Sequence, residues 1–414
     1  MPGPKLASLA WRNLWRNRRR TLITLVSIAF GTFLAVIFTG IGDATYATMI
    51  DHTARLGGGH VVIQHREYAD LPSAKKSVAL TDALQARATS DPDVVIAVPR
   101  VAAAAMLATS ADSTGMMIVG IDPRVETDKT LGLLDAIAEG EMFKSPDDPG
   151  IILGATLAEQ LGVKLGRKVV YTLTNKHGDI ASGLARVSGI VKTGSPSIDG
   201  GVCFLPIDRL REALSYEPGE ITQLAVFVDG HRKAPALAAR LAEALPADAV
   251  ALTWDQASPE LAGFIAMKTG SALIMEVIIT VLISAGIFNT LFVSVMERLR
   301  EFGVMIAIGF SSRQIFALIM WESLWVSLTG LVAAALMTAG PYYYLATAGI
   351  DYSAMVPPGS EIAGVALEPI LRVAIYPPHL LGIAAAVVLA TLASGLYPAW
   401  KAGSIEPVET IRLV

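Results

Sequence analysis

Cysteine is almost absent from this chain. Cys203 is the only one among 414 residues, so no intramolecular disulfide can form. Its setting, Gly201-Val202-Cys203-Phe204-Leu205-Pro206, is an apolar strand-like run that suits a buried structural thiol better than a reactive one. Histidine is also scarce: His52, His60, His65, His177, His231 and His379 complete the set. His60 and His65 lie five apart on one expected strand, so they face opposite sides of a sheet and do not suit a shared metal ion. No G-x-S-x-G elbow, H-E-x-x-H pair or P-loop occurs. Gly57-Gly58-Gly59 lacks the following helix that phosphate cradling needs, and reads as a hinge. Asp147-Asp148 sits beside proline in an expected loop and reads as a solvated pair. These absences leave no catalytic, metal-binding or cofactor-binding residue to name. No basic patch with interleaved aromatics points to nucleic acid, and the net charge of −4 selects no partner.

Charge is thin too, at 17%, against 53% hydrophobic residues. The apolar excess is concentrated in charge-free runs: Thr21–Gly42, Val277–Met296, Ser323–Ile350 and Val373–Trp400. Each meets the roughly 20 residues needed to cross a hydrocarbon core of about 30 Å. Buried core helices are the competing reading, and repeated runs of this length weigh against it. The flank Arg16-Asn17-Arg18-Arg19-Arg20 resembles the basic start of a signal peptide. The apolar part is too long for one and no A-x-A site follows, so the run reads as a retained span.

Lysine and arginine near the span ends set the expected orientation. Lys5, Arg12, Arg16, Arg18, Arg19 and Arg20 precede span one, Arg298, Arg300 and Arg313 separate spans two and three, and Lys401 and Arg412 follow span four. Both termini are therefore expected in the cytoplasm. The expected layout is an amphipathic N-terminal helix at 1–20, transmembrane helix 1 at 21–42 and a periplasmic domain at 43–268. Transmembrane helix 2 follows at 269–296, a cytoplasmic coupling segment at 297–314 and transmembrane helix 3 at 315–345. A periplasmic loop at 346–378, transmembrane helix 4 at 379–400 and a cytoplasmic tail at 401–414 complete the chain. The fold class is thus an α-helical membrane protein with four transmembrane helices and a large mixed α/β domain inserted between helices 1 and 2.

That domain reads as two subdomains, because helix–strand alternation is interrupted by a strand-rich insert at about 123–205. Expected strands include His60–Gln64, Val94–Val98, Met116–Ile121, Lys168–Thr174, Leu184–Lys192, Gln223–Val228 and Val250–Thr253. Helices are expected at Leu80–Ala88, Ala155–Leu161, Ile207–Leu214 and Pro235–Leu245. Two acids stand near span ends. Glu276 reads as lying on a helix that continues outward, and Glu322 as packing against neighbouring helices or a partner rather than relaying protons.

The segment between spans two and three, Glu297-Arg298-Leu299-Arg300-Glu301-Phe302-Gly303-Val304-Met305-Ile306-Ala307-Ile308-Gly309-Phe310, is compact and amphipathic and suits a cytoplasmic partner. With Arg313-Gln314-Ile315 it resembles the coupling segment of the MacB/FtsX-type ABC transporter permeases. Ala10–Leu22 resembles that family's basic amphipathic leading helix, and Ser394–Ala402 with Glu406–Arg412 resembles its C-terminal signature. Met305-Ile306 departs from the pattern, where the family often has leucine and arginine. The outer domain resembles the lipoprotein-releasing LolC/LolE group in Gly59–Gln64, Gly154–Gly166, Gly189–Gly194 and Thr253-Trp254.

The resemblance implies a mechanism. Two permease subunits, identical or paralogous, pair above a cytoplasmic ABC ATPase dimer that binds and hydrolyses ATP. This chain is then no enzyme and holds no cofactor. Glu297, Arg298, Arg300, Glu301, Phe302, Gly303, Ile306, Gly309 and Arg313 become the residues that couple it to the ATPase. ATP-driven closure moves the helices as levers, and the outer domains respond by mechanotransmission. Small residues in span four, Ala384-Ala385-Ala386 and Ala390, suit close helix packing. The implied cargo is a lipoprotein or another lipid-anchored molecule drawn from the bacterial inner membrane, with membrane lipids and a periplasmic lipoprotein carrier as further partners. Phe30, Leu34 and Ile37 on span one and Ile279, Ile283 and Ile287 on span two recur at helical spacing and are candidates to line a cargo cavity between the two permeases, with ordinary lipid-facing or helix-packing surface as the competing reading. MacB-like export of peptides or small molecules from the periplasm, and FtsX-like relay to a cell-wall hydrolase, are the alternatives.

Overall fold

The structure is a computed structural model that describes residues 3–404 apart from 111, 244 and 358. The motif Glu406–Arg412 lies outside the described residues. In chain order, α1 (Gly3–Leu14) and α2 (Arg18–Leu56) come first, followed by β1 (Val61–His65), β2 (Val78–Ala79), α3 (Asp82–Ser90) and β3 (Val94–Ala108). Next are β4 (Ser113–Ile121), β5 (Ile137–Gly140), β6 (Gly150–Gly154), α4 (Ala155–Gln160), β7 (Lys168–Thr174) and β8 (Ile180–Val191). Then come α5 (Pro196–Gly201), β9 (Val202–Pro206), α6 (Ile207–Leu214), β10 (Glu220–Ile221), β11 (Gln223–Val228), α7 (Ala234–Ala242) and β12 (Ala249–Thr253). The last helices are α8 (Trp254–Ala257), α9 (Pro259–Glu297), α10 (Leu299–Ala307), α11 (Ser312–Thr347) and α12 (Pro377–Gly403).

The chain divides into two compact units. One comprises the residues up to Thr45, Met267–Asp351 and those from Ile370 onward; the other comprises Tyr46–Ala266 and Tyr352–Pro369. Helices α2, α9, α11 and α12 are each long and apolar enough to cross a membrane. In lipid a backbone must satisfy its own polar groups, and an unbroken helix does so. Both α2 and α9 run for 39 residues, about 58 Å at 1.5 Å per residue, well beyond the apolar windows at 21–42 and 269–296. The expected amphipathic helix at 1–20 is two pieces. It stops at Leu14, and Arg18–Arg20 are the first residues of α2. The Thr21 hydroxyl donates to the Leu14 carbonyl at 2.6 Å, satisfying an oxygen that the end of α1 leaves bare. Close helix approach uses glycine: any Cβ at Gly330 of α11 would collide with Ile28 of α2.

In the second unit, β12-β1-β11-β3 form an antiparallel sheet, with Val61 facing both Val226 and Thr253. Strand β3 changes partners along its length. Residues 94–100 pair with β11, and 101–108 pair with β4 on one side, with β7 joining at 105–108 on the other. From there the hydrogen bonding closes on itself: β4 runs parallel to β9, β9 antiparallel to β6, β6 parallel to β8, and β8 antiparallel to β7, which returns to β3. Closure removes exposed strand edges. The ring draws on β3 and β4, which precede residue 123. The structure therefore does not set apart an insert of about 123–205 as its own subdomain; its strands share one unit with the rest. The short strand expected at Val94–Val98 proves to be 15 residues long. Pro99 and the alanines after it are weak strand formers, and pairing with β11, β4 and β7 overrides that local preference. Cys203 is fully buried in β9, and burial pushes its thiol pKa up.

The expected loop at 346–378 is also more than a connection. Its residues 352–369 belong to the second unit, where Glu361–Ile362 and Val365–Ala366 form a hairpin. Glu361 Oε2 lies 2.6 Å from Ser195 Oγ and accepts from the Ser197 amide at 3.1 Å, at the start of α5. The hydrogen bonds from Ser195 and Ser197 hold the Glu361 carboxyl below its ordinary pKa. A depressed carboxylate stabilises the attachment above the ordinary carboxyl pKa of about 4.3, and that contribution is lost as pH falls through the lowered value. Charge-assisted bonds of this kind contribute about 1.5–3 kcal/mol. E361A should therefore speed amide exchange of residues 361–366 by about tenfold or more at neutral pH. Unchanged exchange in E361A would show that the carboxylate does not pin the hairpin.

Candidate functional site

Between α9 and α11 the chain makes a short helix with two distinct faces. The helix α9 ends at Glu297, Arg298 leaves the helical conformation with φ −101° and ψ 6°, and α10 begins at Leu299. Gly309 closes the segment with φ +107°, a conformation that side chains with a Cβ rarely adopt. Ser311 then caps α11 in a reciprocal capping box with Gln314. On the inner face, Phe302 is fully buried among Ala10, Val295, Ile315, Leu318, Ile319, Ala399 and Ala402. On the outer face Arg300, Val304 and Ile308 recur every fourth residue. Val304 is 53% and Ile308 73% exposed.

A charge network fixes the inner face. Arg298 Nη1 donates to both oxygens of Glu322 at 3.1 Å, and each of these side chains is 11% exposed. Asn13 Nδ2 donates to Glu322 Oε1 at 2.8 Å. The Arg298 guanidinium lies 5.1 Å from the Phe302 ring centre, and its Nε is 3.3 Å from Glu301. Arg16 donates to Glu301 at 2.7 Å and Arg20 to Glu297 at 2.9 Å, so two arginines four apart meet two glutamates four apart. Trp325 Nε1 donates to the Ala7 carbonyl at 3.0 Å, and the Trp325 ring meets Trp11 edge-on at 5.1 Å. Burial alone would raise the Glu301 carboxyl pKa. The hydrogen bonds and charges of Arg16 and Arg298 outweigh it and hold the group below its ordinary value. The exposed pairs are worth about 0–1 kcal/mol each; the buried Arg298–Glu322 pair is the part whose disruption is costly. The same groups, with Thr21, Thr290 and Ser294, line a polar cavity of about 340 Å³.

This geometry sorts the coupling residues expected from sequence. Glu297, Arg298, Glu301, Phe302 and Gly303 belong to the brace or the buried face, Ile306 is half-buried, and Gly309 makes the turn. Arg300 and Arg313 are exposed charges, and Glu297 is exposed as well while it pairs with Arg20. Val304 and Ile308 were not expected there, although their spacing from Arg300 is visible in the sequence. Glu322 was expected to pack, but its partners Arg298 and Asn13 were not.

Within one chain the six residues expected to line a cargo cavity lie at different depths. Ile287 is 2% exposed and packs with Ile28, Leu291 and Val326. Ile283 fills the space beside Gly31, so this pair belongs to the seam between α9 and α2 within one chain. Leu34, Ile37 and Ile279 are half-buried, and Phe30 is 53% exposed. Helical spacing identifies an apolar face without showing what covers it.

Comparison with known proteins bears on both units. The family described as the MacB-like periplasmic core domain matches residues 21–244, and the FtsX-like permease C-terminal family matches 273–407. The chain belongs to the MacB/FtsX-type ABC transporter permeases. The permease is 22% identical to the lipoprotein-releasing system transmembrane protein LolC of Xylella fastidiosa (strain 9a5c), over all of both chains. It is 20% identical to the corresponding LolE of Haemophilus influenzae, over 97% of this chain and 98% of that one. It is also 21% identical to the macrolide export ATP-binding/permease protein MacB of Agrobacterium fabrum, over 97% of this permease but 60% of that longer protein. With four apolar helices the permease is a multi-pass membrane protein. Its α9–α12 fall almost wholly within the FtsX-like match, so the braced α10 is part of the permease domain proper.

Removing one partner of a buried ion pair strands the other charge and costs about 3–5 kcal/mol, whereas replacing both with apolar groups of similar volume is often neutral. R298M alone should therefore lower the unfolding temperature of the detergent-purified permease strongly. R298M/E322L should recover at least half of that loss. Additive losses in the double variant would show that the two side chains do not depend on each other.

Proposed function

We propose that this permease is the membrane subunit of a mechanotransmission ABC transporter, and that a cytoplasmic ATPase dimer docks on the outer face of α10. One observation carries the reading: α10 is braced from inside by Arg298, Glu301 and Phe302, while Arg300, Val304 and Ile308 present an apolar pair beside a cation to the outside. A lever needs both properties. The brace passes force into α9 and α11, and the exposed face gives the ATPase a hold. ATP is bound and hydrolysed on the partner, and a second permease copy, identical or paralogous, completes the assembly in the bacterial inner membrane. The lysine and arginine distribution supports cytoplasmic termini and a periplasmic domain between α2 and α9.

The cargo we infer is a lipoprotein or another lipid-anchored molecule, a reading supported by likeness to LolC and LolE along nearly the whole chain. Acyl chains cost about 0.8 kcal/mol per CH₂ to expose to water, so such cargo leaves the bilayer sideways, sheltered by apolar helix faces. Phe30, Leu34 and Ile37 on α2 are the residues we assign to that shelter, toward the second permease copy. Export of a peptide or small molecule from the periplasm is the second reading, favoured by the MacB-like core match and the MacB relative. Photo-crosslinkers at Leu34 separate the two. Capture of a lipoprotein while ATP turnover is blocked supports the first; crosslinks to phospholipid alone, with soluble peptide still exported, support the second.

Docking is tested on the outer face of α10. V304D/I308D should reduce stimulation of the ATPase by at least tenfold, a loss of about 1.4 kcal/mol or more in coupling. Membrane insertion and unfolding temperature should stay near wild type, because both side chains are exposed. Full stimulation in this variant would remove α10 as the docking element. Topology is tested separately: D147C should react with a membrane-impermeant thiol reagent in intact spheroplasts, while buried Cys203 stays unreactive until denaturation. Protection of position 147 would reverse the orientation.

A further inference from the structure

We propose that Arg100 is the positioning residue through which displacement of α2 enters the second unit, an inference that rests on the mechanotransmission reading above. The helix α2 is continuous from Arg18 to Leu56, and the chain leaves it at Gly57. The Gly57 carbonyl accepts a hydrogen bond from Arg100 Nη1. Arg100 is 1% exposed, and its other two nitrogens also donate nearby. Nε donates to Glu126 Oε1 at 2.9 Å, and Nη2 donates to Glu126 Oε2 at 3.2 Å and to the Thr130 carbonyl at 2.6 Å. The guanidinium also stands 5.8 Å from the Phe227 ring centre on β11.

The position of Arg100 on its strand gives these bonds their meaning. Gln223↔Arg100 is the last pair that β3 makes with β11, and Val101↔Gly120 is the first it makes with β4. Arg100 thus stands where the open sheet becomes the closed ring. Its backbone is held as well: Thr222 donates to the Arg100 carbonyl at 3.2 Å, and the Thr222 hydroxyl accepts from the Ala102 amide at 2.8 Å. One planar cation therefore joins the end of a long helix, the strand junction and the 126–130 loop. A guanidinium presents several donors in a fixed fork, so the three attachments keep a set mutual geometry. A lysine carries the charge but cannot span all three. A purely structural ion pair would need only Glu126; the bond to the helix-end carbonyl is what makes Arg100 a transmission point.

The test uses hydrogen exchange on the permease complexed with its ATPase, with and without vanadate-trapped nucleotide. In the wild type, ATPase binding should protect residues 299–307, and trapping should change exchange at 101–108 and 122–131. R100M/E126L replaces both buried charges with apolar groups of similar size. It should keep the protection at 299–307, ATPase stimulation and nucleotide-free exchange of β1 and β11 within twofold of wild type, and lose at least nine-tenths of the trapping-dependent change at 101–108 and 122–131. R100K should do the same, and decides the matter if the double variant does not accumulate. A wild-type trapping response in either folded variant overturns the role of Arg100. Absence of protection at 299–307 in the wild type overturns the docking reading instead. Protection there without any trapping response in the wild-type strands overturns transmission, and Arg100 with it.

Discussion

An ion buried in a low-dielectric helix bundle must be matched, and the first unit is organised around that requirement. Glu322 stands on α11, a helix with the length and composition of a membrane span. Its carboxylate is neutralised by Arg298 and further bound by Asn13, residues from the α9–α10 junction and from α1. Satisfying this one group places three segments that are far apart in sequence. Once they are placed, Phe302 has a pocket, Arg16 and Arg20 lie within reach of Glu301 and Glu297, and α10 can turn only its Arg300-Val304-Ile308 face outward. Hydrophobic packing contributes most of the stability, but an apolar face slides with little penalty. The Arg298–Glu322 pair does not, because separating it strands both buried charges.

The second unit solves a comparable problem with strands. Open strand edges invite slippage and foreign strands, and closure of β3, β4, β9, β6, β8 and β7 into a ring leaves few of them. Again a buried arginine stands at the junction. Arg100 binds Glu126 and the Thr130 carbonyl in one loop, the Gly57 carbonyl at the end of α2 and the Phe227 face on β11.

Low charge, charge-free runs of sufficient length and one-sided placement of lysine and arginine are local properties. Reading them yields four apolar helices, a large α/β domain between the first two, and a short amphipathic helix between the second and third. These features follow from composition and periodicity because a lipid solvent leaves a helix few alternatives. The alternation of strands and helices in the α/β domain was legible from side-chain periodicity and turn residues, down to α6 at Ile207–Leu214 and β11 at Gln223–Val228.

What tertiary structure alone decided is which distant residues meet. No spacing rule pairs Arg298 with Glu322, or Arg100 with Gly57 and Glu126. Pro99 and a run of alanines conceal the length of β3, because its partners rather than its own propensity hold it extended. The spacing of Ile283 and Ile287 marked an apolar face correctly, and only the packing against Gly31 and Ile28 showed that this face is already covered. The loop after α11 carries no local sign that Glu361 will accept hydrogen bonds from Ser195 and Ser197. The sequence alone determined the helices and their order, because each is stabilised by neighbours along the chain. The brace, the ring and the attachments depend on desolvated contacts between remote segments, which exist only once the chain has folded.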